Sequence, residues 1–169
     1  MKKLMIAILA LVLAALPALA EGSVLDDFAV TEEQMIEMCG YALTAPEGAE
    51  DVQLYAFPSN EEGIYPLAEL RFTFNGIKCA FRAQATDDSV PSDISGLEYE
   101  WTETADGDVD GWYGSIRSCA DASVITWFDE WAARNYSFAA MTDVTNESLN
   151  KMANIIYAPI SSSEPVYLQ

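Results

Sequence analysis

Histidine, the side chain most often used for acid–base chemistry, is absent from this chain. That absence removes Ser-His-Asp and Cys-His nucleophile systems, HExxH zinc hydrolysis and histidine-ligated metal centres. No glycine-rich phosphate loop or nucleotide fingerprint is present either. Carboxylates are plentiful, with 27 Asp plus Glu. Pairs suited to glycoside hydrolysis can be drawn in many ways, but none is singled out by its context. The sequence reads as non-enzymatic.

The best metal candidate is Asp106-Gly-Asp108-Val-Asp110-Gly111. It matches the first half of a calcium loop, where carboxylates at alternating positions converge on a hard cation. The second half fails, because the position of the closing bidentate Glu is Arg117. Asp and Gly are also ordinary turn formers, so an acidic hairpin turn is the preferred reading. A weakly held Ca²⁺ at Asp106, Asp108 and Asp110 is the only cofactor left open.

Aromatic side chains are dense between Trp101 and Trp131. An exposed patch of Trp112, Tyr113, Trp127 and Trp131 would suit a protein partner or, less well, a sugar ring. Core packing competes with both, since large aromatics dominate small cores. Trp112/Tyr113 and Trp127/Phe128 are adjacent pairs, so on strands one member of each points to each face. Cys39, Cys79 and Cys119 match no metal spacing. They are read as small buried hydrophobes, with one disulfide left open by the odd count.

These side chains need a scaffold, and the N-terminus says where it works. Lys2 and Lys3, the apolar run Leu4 to Leu16, and Ala18-Leu-Ala20 after Pro17 form the three parts of a secretory signal over residues 1–20. The apolar run is shorter than the roughly 20 residues of a spanning helix, so cleavage after Ala20 is expected, with no stable membrane insertion afterwards. The product would be secreted and extracytoplasmic, and bacterial by the look of its signal. The sequons at Asn135 and Asn146 then carry no weight. The formal charge of −19 becomes more negative once both signal lysines leave. Such a field repels nucleic acid and anionic lipid and attracts cations, so no nucleic acid is expected among the partners.

Beyond the signal, residues 21–30 read as a leader, 31–160 as one domain and 161–169 as a flexible tail. Thr31-Glu-Glu-Gln34 is a capping box, and Gly40 ends the short helix it starts. Val52 to Phe57 reads as a strand. Ala68, Leu70, Phe72 and Phe74, then Ile77, Cys79, Phe81 and Ala83, alternate with polar residues around Asn75-Gly76. That spacing predicts a type I′ hairpin in which Leu70 faces Phe81 and Glu69 faces Arg82. The polar face, with Glu69, Arg71 and Arg82, is expected in water. Further strands are expected at Leu97–Trp101, Trp112–Cys119, Ser123–Phe128 and around Tyr136 to Ala140, with 105–111 as a turn. Thr145 caps a helix carrying Leu149, Met152, Ala153 and Ile156 on one face, stopped by Pro159. The expected fold is α+β: an antiparallel β-meander sheet covered by a short N-terminal helix and a C-terminal amphipathic helix.

Several stretches together carry a resemblance: Thr31 to Leu43, Ala45 to Val52, Ala68 to Ile77, Phe81 to Gln84, Asp93 to Trp101, and the Ser148-Leu-Asn-Lys-Met-Ala153 helix. The chain resembles, over roughly Thr31 to Ile160, an uncharacterised domain family of secreted and envelope proteins from Gram-positive anaerobes. That family is sometimes attached to anti-sigma-factor-like membrane proteins. The resemblance implies an extracytoplasmic α+β domain with no known activity and carries over no functional residues. The family's second domain and membrane anchor are not expected here. The resulting expectation is a secreted non-enzymatic domain binding a protein or cell-envelope component. The alternative is a half-barrel carrier of a small apolar ligand or lipid, or a weak Ca²⁺-dependent module. A sheet face filled by its own side chains would favour the first.

Overall fold

The computed structural model describes residues 28–59, 61, 63–88 and 91–161. The signal at 1–20, the leader up to residue 27 and the tail from 162 lie outside the described residues. Helix α1 (Glu32–Cys39) forms as its capping box requires. Thr31 N donates to Gln34 Oε1 at 2.8 Å, and Gln34 N donates to Thr31 Oγ1 at 3.3 Å. Gly40 then adopts a φ of 80° and returns its N–H to Ile36 O, the left-handed ending that glycine makes without strain.

Seven strands follow: β1 (Glu50–Phe57), β2 (Leu67–Phe74), β3 (Ile77–Ala85), β4 (Glu103–Val109), β5 (Trp112–Ser118), β6 (Ser123–Asp129) and β7 (Arg134–Ala140). Helix α2 (Asn146–Ser161) comes after them. All strands join one sheet in the order β1-β2-β3-β7-β6-β5-β4, with every neighbouring pair antiparallel. The fold is α+β, but the sheet is not one continuous meander. Two meanders meet where β7 pairs with β3, and the chain crosses between them through residues 86–102. The β3–β7 register places Phe138 beside Phe81 and Tyr136 beside Ala83, which extends one apolar face across the junction. Local spacing cannot reveal that pairing, because it joins residues 49 to 61 positions apart.

The β2–β3 hairpin has the expected register, with Phe72 opposite Cys79, Leu70 opposite Phe81 and Glu69 opposite Arg82. Asn75 and Gly76 both take positive φ, at 51° and 76°, as the turn demands. The acidic segment differs from expectation. Residues 103–109 are strand, and the turn shrinks to Asp110 (φ 53°) and Gly111 (φ 87°). Gly107 is needed as a strand residue, because a Cβ there would lie 2.7 Å from Ile125 Cδ1 and 2.8 Å from Asn150 Oδ1. Pro159 also departs from expectation: it lies inside α2. Proline there has no N–H to return to Ile155 O, but Ile156 and Tyr157 just before it are anchored in the core and hold the last turn against the sheet.

Both helices cover one face of the sheet. Phe81, Trp127 and Tyr136 stack there with centroids 5.3–6.0 Å apart, and Tyr157 of α2 meets two of these rings edge-on. Leu149, Ala153 and Ile156 fill the space beside them. These side chains keep essentially no accessible surface. A cavity large enough for a ligand would leave accessible area on its lining, so the layer between sheet and helix is filled.

The opposite face was expected in water, yet Glu69 is fully buried and Arg71 and Arg82 nearly so. Over Arg82 the covering element is the crossover, whereas Arg71 lies over the Tyr55 ring of β1, 5.0 Å from its centroid. Residues Leu97 to Trp101 keep the expected alternation of half-buried and exposed positions but pair with no strand. They belong to a strap laid across β3, β7 and β5. Arg82 Nη1 donates to Ile94 O at 3.2 Å and Ser95 O at 2.7 Å, and Ser92 N donates to Asn135 Oδ1 at 2.9 Å. Further along, Arg117 pairs with Asp93 and lies over the Trp101 ring. Between these two arginines, Glu69 accepts from Arg71 Nε and Arg82 Nε. A carboxylate removed from water is tolerable only with such partners.

Candidate interaction surface

The four aromatics read as one patch are divided by the fold. Trp127, 0% exposed, is core, and its Nε1 is buried without a hydrogen-bond partner. Tyr113, 63% exposed, lies on the strap-side face of β5. There its Oη donates to Asp106 Oδ1 at 2.7 Å, and the neighbouring carboxylate raises the phenol's pKa. Trp112 points to the helix side and is half-buried. Trp131, 74% exposed, stands on the β6–β7 turn with its ring 5.8 Å from that of Trp112 at an interplanar angle of 90°. Alternation along β5 is the reason for the division, since adjacent residues cannot share a face.

The turn that carries Trp131 is held from below. Asp129, the last residue of β6, is buried. Its Oδ1 accepts from Trp131 N at 2.8 Å and Ala132 N at 3.0 Å, and its Oδ2 accepts from Tyr157 Oη at 2.5 Å. Ala133 adopts a φ of 49°, a left-handed conformation that costs a non-glycine residue about 1–2 kcal/mol. Thus a buried carboxylate ties helix, strand end and turn together and presents one large aromatic ring outward. Sequence reasoning missed Asp129 and Tyr157. The usable signal was an Asp closing an apolar strand just before a turn, where its side chain can accept from the next backbone amides.

Asp106, Asp108 and Asp110 do not assemble a cation site. Asp106 is engaged with Tyr113, and Asp108 Oδ1 accepts from Gly111 N at 3.2 Å. Among the described residues, no three Asp, Glu or Cys side chains are placed to hold a metal ion. The segment's backbone is instead recognised by α2. Asn150 Oδ1 and Asn154 Oδ1 accept from Asp108 N and Asp110 N, and both side-chain amides donate to Asp108 O, all at 2.8 Å. Two asparagines one helical turn apart thus imitate a neighbouring strand and close part of the β4 edge, which would otherwise invite pairing with another chain.

The cysteines are all free thiols, with Cys79 and Cys119 buried and Cys39 half-buried. Burial pushes the Cys79 thiol up to about 12 and raises that of Cys39, which leaves both poor nucleophiles at neutral pH. The arginines are engaged internally: Arg71 and Arg82 with Glu69, Arg117 with Asp93, and Arg134 over the Tyr41 ring at 4.0 Å. The outward field is therefore dominated by carboxylates. Among the described residues, no helix is long and apolar enough to cross a membrane. No family model, curated protein or solved structure matches the chain.

Proposed function

We propose that the chain is an exported, non-enzymatic domain that binds a protein or cell-envelope component. The observation that carries this reading is Trp131, a large apolar ring held in solvent by a turn that a buried Asp129 and Tyr157 fix in place. A side chain exposed at such apolar cost on a rigid support fits a contact residue better than a packing residue. The filled layer between sheet and helices supports an interaction module over an apolar-ligand carrier. Export rests on the signal-like residues 1–20, and the family resemblance points the same way. The test is saturable binding of the mature protein to envelope preparations from the source organism. Wild type is expected to bind at micromolar concentration or below, and Trp131→Ala to weaken binding at least tenfold while melting as wild type does. Binding that does not saturate, or is indifferent to Trp131, would count against the reading.

A further inference from the structure

We propose that the corner between Trp112 and Trp131 takes a lysine or arginine side chain from a basic polypeptide partner. The proposal rests on the binding role given above and specifies the chemistry of that contact. Two indole rings at 90° and 5.8 Å form adjoining walls, and a cation set against them meets the electron-rich face of one or both. Tryptophan is the best aromatic for this interaction. A flat sugar ring, by contrast, is best served by an open face or two coplanar ones.

Charge favours the same occupant. Asp110 lies two residues before Trp112 and Glu130 directly precedes Trp131, and both acids are exposed. The chain as a whole carries −19, while its buried or stacked arginines are turned to internal partners. A basic segment would be steered to this surface over about a Debye length, some 8 Å at physiological salt. A neutral or acidic partner would gain nothing from the field. The support beneath Trp131 removes much of the ordering entropy that docking would otherwise require.

The probe is a short capped peptide of alternating lysine and glycine, titrated calorimetrically into the mature protein at low and at physiological salt. A glutamate–glycine peptide serves as the charge control. The lysine peptide is expected to bind and the glutamate peptide not to. Trp131→Ala should weaken the lysine peptide about 3- to 30-fold, Trp131→Tyr should recover most of the loss, and Tyr113→Ala on the other face should change nothing. Equal affinity for wild type and Trp131→Ala would overturn the proposal, as would equal binding of the two peptides. If the lysine peptide ignores Trp131 while envelope binding still depends on it, the cationic occupant is wrong and the binding role stands. If Trp131→Ala changes neither, both fall.

Discussion

Replacing Glu69 by Gln should be among the most damaging single changes in the protein. The carboxylate is fully buried and accepts from two guanidinium groups, Arg71 Nε and Arg82 Nε. Arg82 is in turn tied to the strap through Ile94 O and Ser95 O. Glutamine keeps the volume but removes the negative charge, leaving two buried cations facing an amide. Removing one partner of a buried pair costs about 3–5 kcal/mol, against a total stability of about 5–15 kcal/mol for a domain. With a urea slope of about 1–3 kcal/mol/M, the unfolding midpoint should fall by about 2 M. The strap should loosen with it, so amides near Ser95 should exchange faster than those of β6. The companion variant Glu69→Leu/Arg71→Met/Arg82→Met removes the whole network, and replacing a buried triad by apolar groups is often neutral. It should lie closer to wild type than Glu69→Gln does. A Glu69→Gln unfolding free energy within about 0.5 kcal/mol of wild type, the range of ordinary surface changes, would refute the buried-triad argument.

Other outcomes follow from the same structure. Gly107→Ala should cost about 1–3 kcal/mol through overpacking against Ile125 and Asn150. Gly48→Ala, with open space around it but a φ of 83°, should cost only the strain of about 1–2 kcal/mol; chemical denaturation of both variants makes the comparison. The Cys79 thiol, pushed by burial from 9.0 up to about 12, should resist a thiol reagent at pH 8 until the protein unfolds. Because its folded value lies above the unfolded one, its contribution is intact below pH 9 and is lost as pH rises toward about 12. Desolvation raises the Asp93 pKa, but hydrogen bonds from Ser95 and Arg117 outweigh it and hold the carboxyl below its ordinary 3.8. That contribution is present above pH 3.8 and is lost on further acidification, so Asp93→Asn should flatten the acid limb of the stability curve. Asn150→Ala/Asn154→Ala should unmask the β4 edge, detectable as concentration-dependent self-association by light scattering.

What the sequence made legible was local. The capping box at Thr31, the Asn75-Gly76 hairpin and its register, and the apolar face of α2 each depend on residues a few positions apart, where periodicity is decisive. The pairing of β3 with β7 escaped it, because antiparallel partners chosen across a crossover leave no spacing signal. Burial of Glu69, Arg71 and Arg82 escaped for a related reason. An alternating polar face reads as solvated unless another element covers it, and the strap at 91–102 has no periodicity that announces a cover. Its alternation at Leu97, Tyr99 and Trp101 imitated a strand. The site was legible only in part: Trp131 was a candidate, but composition could not separate it from Trp127, which lies in the core. Asp129 and Tyr157, nearly thirty positions apart, meet only in the folded chain.

The claim on which the functional account rests is that Trp131 is wet in the free protein and covered by its partner. Hydroxyl-radical footprinting, read residue by residue with and without saturating envelope material, measures this directly. Trp131 should oxidise rapidly when free and become protected when bound, with Trp127 and Tyr136 protected in both states. A Trp131 that is already protected in the free protein, or that stays reactive in the bound one, would contradict the account.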